Sequence, residues 1–211
     1  MTPLDQYILN ASSAEPAVLT ELQRQTTLRV VNPRMSSGHL QGRLLAMLVS
    51  IVKPQRVLEL GTFTGYATIS MAESLAEGAK IYTVEIDDEL EDIATEFFEK
   101  AGVVDKIVQC IGDATEVIGS LDEVFDMVFI DADKRQYIEY YNQLFELGRV
   151  KSGSLILADN TLWDGKVVEE IPPKDKQTRG IVDFNKMVAL DPRVEKVMLP
   201  LRDGLTLIKV K

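Results

Sequence analysis

RVLELGTFTGYATISMAESLA, residues 56–76, joins an apolar run, a turn spaced by two glycines, and a segment of good helix formers. A strand–turn–helix unit of this kind is the building block of a parallel sheet, whose strands are buried on both faces and read as continuous apolar runs. The rhythm repeats outward from it. KIYTVEI (80–86), KIVQCI (106–111), FDMVFID (125–131) and SLILAD (154–159) read as further strands. Helical DELEDIATEFFEKAG, a short helix near TEVIGSL, and KRQYIEYYNQLFELG fall between them. A last helix over about 178–190 leads to RVEKVMLPLRDGLTLIKVK, where Pro200–Gly204 separates two β-prone runs as a hairpin turn would. Upstream, EPAVLTELQRQTTLRVV, a break at Asn32-Pro33 and HLQGRLLAMLVSIVK read as added N-terminal helices. The expectation is one α/β domain, doubly wound and Rossmann-like. Its seven-stranded sheet is mostly parallel and closes in an antiparallel C-terminal hairpin.

The bulk composition agrees. A chain of 211 residues suffices for one such domain and is short for two. Its 23 basic and 33 acidic side chains leave a net charge of −10, which disfavours a polyanionic partner at long range and suits a cationic ligand. Cys110 is the only cysteine, so no intrachain disulfide can form and a reducing cytoplasm is expected. The start, MTPLDQYILNASSAEP, lacks the pattern of a secretory signal. No apolar run approaches the roughly 20 residues that span a bilayer, so no membrane partner is expected.

Ligands of open α/β sheets bind beyond the carboxyl ends of the strands. The first strand ends in Glu59-Leu60-Gly61-Thr62-Phe63-Thr64-Gly65 and the second in Glu85. The third leads to Gly112-Asp113-Ala114, the fourth ends in Asp131, and the fifth in Asp159-Asn160. A dinucleotide site would show G-x-G-x-x-G, whereas this turn is G-x-x-x-G with an acid, Glu59, before the first glycine. An anion at the loop mouth suits a cationic ligand, and Glu85 is suited to accept hydrogen bonds from ribose hydroxyls. The combination fits S-adenosylmethionine, whose amino and sulfonium groups are positive.

Carboxylates leaving two adjacent strand ends, about 4.8 Å apart, can meet on one ion. Asp131, Asp159 and Asn160 are hard oxygen donors with no His or Cys beside them, a set for Mg²⁺, Mn²⁺ or Ca²⁺ rather than zinc. Taken singly, Asp131 as a helix cap and Asp159-Asn160 as an Asx-turn would be the ordinary reading.

ELGTFTGY, the strand-end Glu85, FIDADKRQY and LADNTLW together resemble the metal-dependent class I O-methyltransferases. These are the catechol and caffeoyl-coenzyme A enzymes and their small bacterial relatives. The similarity runs from about Met35 to the C-terminal hairpin, and D-A-D-K followed by L-A-D-N is its specific part. It implies metal ligation by Asp131, Asp159 and Asn160 and a general base in Lys134. For S-adenosylmethionine it implies contacts from Met35, Ser36, Glu59, Gly61, Phe63, Tyr66, Glu85, Asp113, Ala114 and Asp131. Asp133 occupies a cofactor-contacting position whose residue type varies, and a helix-capping role is the alternative. The resemblance also implies one methyltransferase domain over 1–211, with 1–53 as N-terminal helices and lid and 54–211 as cofactor core. A homodimer through the N-terminal helices is expected.

The chemistry so implied is methylation of a hydroxyl on a small aromatic acceptor with two adjacent hydroxyls, oriented and acidified by the ion, with Lys134 taking the proton. A hydroxylated tRNA base is an alternative acceptor, which a basic patch of Lys151, Lys166, Lys174, Lys176 and Arg179 would favour. A nicotinamide-dependent oxidoreductase is a further alternative, weakened by the missing glycine pattern. His39 is read as structural or as lining the lid against substrate, and Trp163 as a substrate-pocket wall or a loop anchor. Cys110 and the pair Phe97-Phe98 are read as core, while Asn185 and Arg193 carry no assigned chemistry. The late acid of animal catechol enzymes has no counterpart here, and no coenzyme A-binding set is evident.

Overall fold

The structure, a computed structural model, describes residues 2–211. Five parallel strands form the heart of the sheet: β1 (Arg56–Leu60), β2 (Lys80–Glu85), β3 (Ile107–Ile111), β4 (Phe125–Ile130) and β5 (Val150–Ala158). The hairpin strands β6 (Val194–Leu199) and β7 (Leu205–Val210) complete the order β3-β2-β1-β4-β5-β7-β6. β7 lies antiparallel to both β5 and β6, so it alone runs against the sheet. The chain reverses from β1 to β4 after building outward to β3, so a crevice opens beside β1 and β4 at their carboxyl ends.

Side-chain alternation sorts the strands between two apolar layers. Val57, Ile81, Met127, Phe129 and Leu157 face one side, where α2 (Ala17–Arg29), α3 (Gly38–Val52), α4 (Tyr66–Ala72) and α5 (Glu91–Lys100) pack. Leu58, Val84, Val128, Ile130 and Ile156 face the other, covered by α6 (Ala114–Ser120), α7 (Tyr137–Glu146) and α8 (Lys176–Leu190). The helices are amphipathic at the matching spacing. α5 buries Ile93, Ala94, Phe97 and Phe98, and α7 buries Tyr137, Tyr140, Tyr141 and Leu144. Each such side chain withdrawn from water contributes roughly 1.5–3 kcal/mol before chain entropy is charged.

Two starts differ from the sequence reading. The segment after Asp133 opens as a 3₁₀ turn, Lys134–Gln136, before α7, because the Asp133 carboxylate accepts from Arg135 N at 3.0 Å and tightens the first turn. A first helix, α1 (Pro3–Asn10), was not expected from the sequence; Thr2 and Asp5 form a capping box at its start, and none of its residues is buried. Cys110 is half-buried on β3 at the edge of the second layer. Among the described residues no helix is long and apolar enough to cross a membrane.

Candidate active site

Backbone pairing builds the centre of the site. Leu60 pairs with Ile130 and Ile130 with Ala158, so the next residues of β1, β4 and β5 follow in register across three strands. The ladder continues one step past the strands, with Asp131 N donating to Leu60 O at 2.8 Å and Asp159 N to Ile130 O at 3.0 Å. Asp131 and Asp159 therefore project side by side from one face. Gly61 makes the approach possible: its φ is +101°, and a Cβ there would strike the Asp131 carbonyl. Asn160 follows with a φ of +57°, a left-handed conformation that Asn tolerates.

A cavity of about 850 Å³ opens over these ends. Met35, Gly61, Phe63, Glu85, Asp113, Ala114, Asp131, Asp133, Lys134, Asp159, Asn160 and Trp163 all line it, with Arg34, Gln177 and Arg202. Residues from eight separate stretches of sequence thus meet at one opening. Glu85 is held by three backbone donors, Phe63 N at 2.7 Å, Ile86 N at 3.0 Å and Asp87 N at 3.1 Å. Asp113 caps α6 through Thr115 N at 2.8 Å. Asp133 both caps the Lys134–Gln136 turn and lines the cavity, so the two readings of it are compatible.

Lys134 Nζ donates to Asp131 Oδ1 at 2.6 Å and stands 5.2 Å above the ring of buried Tyr137. The Tyr137 hydroxyl donates to the carbonyls of Ile130 and Asp159 at 3.1 and 3.2 Å, tying the two strand ends together beneath the lysine. Asp159 is almost fully buried, and burial together with the charge of Asp131 pushes its carboxyl up to about 6. Two carboxylates on neighbouring strand ends, beside an Asn amide, form a hard-oxygen donor set that fits a divalent cation of the magnesium or calcium type. No His or Cys lines the cavity among the described residues, in keeping with that set.

Four expected site residues stand off the cavity wall. Glu59 is not an open anion at the loop mouth: it is fully buried under the loop, accepting from the hydroxyls of Thr68 and Thr83. Burial pushes its carboxyl up to about 8, and its Oε1 has no partner. Tyr66 donates its hydroxyl to Glu15, and burial followed by that acid drives its pKa up. Ser36 is buried, its hydroxyl without a partner and its carbonyl accepting from Arg202 Nη2 at 2.9 Å. The His39 ring bonds the Ser13 carbonyl at 2.7 Å, fastening the segment before α2. Asn185 donates to the Thr161 carbonyl at 2.8 Å, and Arg193 pairs with Asp191, so both brace loops outside the cavity. The five basic residues do not share one face: Lys151 begins β5, away from the cavity, and pairs with Asp126, whereas Lys166 to Arg179 follow that strand's far end.

Three residues were not anticipated. Gln41 Nε2 donates to Asp159 Oδ2 at 2.6 Å. Arg202 binds the carbonyls of Ser36 and Ser37, and Asp203 accepts from Asn160 Nδ2 at 3.5 Å and from Asp164 N. Gln41 had no signal in the sequence, because the helical spacing of Leu40, Leu44, Met47, Leu48 and Ile51 points to a different buried face. The structure instead buries Gln41, Leu45 and Val49 and leaves Met47 and Ile51 exposed. Arg202 and Asp203 sat inside what read as turn chemistry.

The profile of the O-methyltransferase family matches residues 9–211. A caffeoyl-CoA O-methyltransferase of Eucalyptus gunnii is 38% identical over 218 residues, covering 98% of this chain and 86% of that one. The Petroselinum crispum enzyme of the same name is 38% identical over 219 residues, covering 98% and 90%. Among solved structures, an O-methyltransferase from Bacillus cereus in complex with SAH superposes with a TM-score of 0.87 at 28% identity, over 100% of this chain and 98% of that one. The O-methyltransferase TomG from Streptomyces achromogenes, in complex with SAM, gives 0.89 at 28% identity, over 99% and 96%. These likenesses favour methyl transfer over the hydride transfer weighed against it, and the chain belongs to the S-adenosylmethionine-dependent O-methyltransferase family.

Proposed function

We propose that this enzyme methylates one hydroxyl of a small aromatic acceptor bearing two adjacent hydroxyls, with a divalent cation held by Asp131, Asp159 and Asn160. The observation that carries the reading is the pair of carboxylates side by side on paired strand ends, with Lys134 Nζ 2.6 Å from one of them. When bound, the cofactor supplies a methyl on a positive sulfur and the cation a charge that favours an ionised hydroxyl. As the neutral amine, Lys134 would take the hydroxyl proton on its lone pair to become the ammonium, while one N–H stays bonded to Asp131 and orients it. Glu85, its carboxylate aligned by three amides, accepts from ribose hydroxyls. Of the residues that line the cavity, Asp113 and Ala114 would hold the adenine, Met35 the methionine end and Trp163 the acceptor. Fixing both reactants against one another supplies much of the rate. The relatives named for caffeoyl-CoA support an aromatic acceptor. We further propose a cytoplasmic homodimer joined through the N-terminal helices.

The test is transfer of labelled methyl to a panel of catechols and to bulk tRNA, with and without a chelator. The expected result is transfer to catechols, lost with chelator, restored by Mg²⁺ and absent in Asp131→Asn. Transfer that survives both the chelator and that substitution overturns the cation reading. Methyl appearing in tRNA alone replaces the acceptor.

A further inference from the structure

We infer that Gln41, a helix residue outside the ligand set, is the positioning residue that fixes the carboxylate of Asp159 for the cation. The inference rests on the cation reading of the site proposed above. Gln41 lies on the buried face of α3, fully enclosed. Its Nε2 donates to Asp159 Oδ2 at 2.6 Å, while its Oε1 accepts from Arg202 Nη1 at 3.4 Å. A guanidinium can only donate and an ionised carboxylate can only accept, so these two neighbours dictate which end of the amide faces which. The side chain cannot flip without setting Oε1 against a carboxylate and Nε2 against a cation.

Arg202 is itself anchored, by the carbonyls of Ser36 and Ser37. A chain of donors therefore runs from the turn between β6 and β7, through α3, to the end of β5. Its consequence falls on Asp159. Oδ2 takes the Gln41 hydrogen bond, and Oδ1 accepts from Asn160 N at 2.8 Å. With one donor on each oxygen the carboxylate plane is set before any ion arrives, and a lone pair on each oxygen stays free. Groups that orient a metal ligand in this way are typically worth about 10–100-fold in metal affinity. The fully buried amide is otherwise hard to account for on a helix face shared with Leu45 and Val49, where an apolar side chain would pack with no polar group to satisfy.

The experiment titrates Mn²⁺ into the full chain saturated with S-adenosylhomocysteine, reading free Mn²⁺ by electron paramagnetic resonance. Wild type is compared with Gln41→Met, Gln41→Asn and Asp159→Asn, and S-adenosylhomocysteine affinity is measured by calorimetry in each. Met keeps the volume without the donor, and Asn keeps an amide one methylene too short to span both partners. The expected result is Mn²⁺ affinity weakened about 10–100-fold in Gln41→Met and by a lesser factor in Gln41→Asn. Cofactor affinity should stay within about twofold of wild type. Wild-type Mn²⁺ affinity in a folded Gln41 variant, with binding lost in Asp159→Asn, overturns the positioning role alone. Absence of Mn²⁺ binding in wild type, or full binding in Asp159→Asn, overturns the cation reading beneath it. Should Gln41→Met not fold, Gln41→Asn decides.

Discussion

Lys134 and Glu59 are both buried ionisable residues, yet their surroundings give them opposite work. Lys134 meets a carboxylate on the cavity wall, where a proton can be passed. Substituting it by Met should lower kcat by about 10²–10⁴-fold while S-adenosylhomocysteine still binds, which single-turnover kinetics and calorimetry would show together. Glu59 meets two hydroxyls and an apolar layer, and its carboxyl is raised from 4.5 to about 8. A folded state that binds a proton more tightly than the unfolded chain loses stability as pH rises. For ligand-free protein the loss should begin near 4.5, grow up to about 8 and then level off. Its size is on the order of a few kcal/mol. Urea denaturation at pH 5 and pH 8 should show this decline in wild type and a flatter profile in Glu59→Gln. The acid before the glycine turn was visible in the sequence, but its burial was not, because burial comes from α4 and β2 supplying Thr68 and Thr83.

The elements carry their own constraints, and two glycines mark them. Gly61 holds a φ of +101° and its backbone lies against the Asp131 carbonyl. Gly180, inside α8, lies as closely against the backbone of Lys134. In both places the obstacle is main chain, which cannot swing aside as a side chain does. Gly61→Ala and Gly180→Ala should each lower stability by about 1–3 kcal/mol, read as a fall in the denaturation midpoint with unchanged slope. Gly180→Ala should also lower kcat, since it presses on the turn that aims Lys134. The role of Gly61 was legible from its place after a strand. That of Gly180 was not, because nothing local reports that α8 crosses the Lys134–Gln136 turn.

At the scale of the whole molecule the apolar residues left in water are informative. On α3, Met47 and Ile51 are 57% and 68% exposed one turn apart, and beyond the end of α2 Val31 is 82% exposed. Side chains of this size stay exposed on an N-terminal helix layer at a cost that a second copy would remove. Light scattering on the eluting protein should give twice the chain mass, and Met47→Glu with Ile51→Glu should give the monomer. A wild-type monomer would end the dimer proposal.

The run of apolar strands, the glycine turn after the first and the acids at the ends of β4 and β5 were determined by sequence alone. Each depends on periodicity or local backbone conformation, and those are written in neighbouring residues. The tertiary structure alone decided that Glu59 lies under the loop, that His39 and Tyr66 fasten the segment before α2, and that Gln41, Arg202 and Asp203 converge on the strand ends. These contacts join α3, β5 and the last hairpin across the chain; Gln41 and Asp159 are 118 residues apart. Hydrogen bonds made at such separations arise only when packing of the two apolar layers brings the partners together, and no local pattern encodes them.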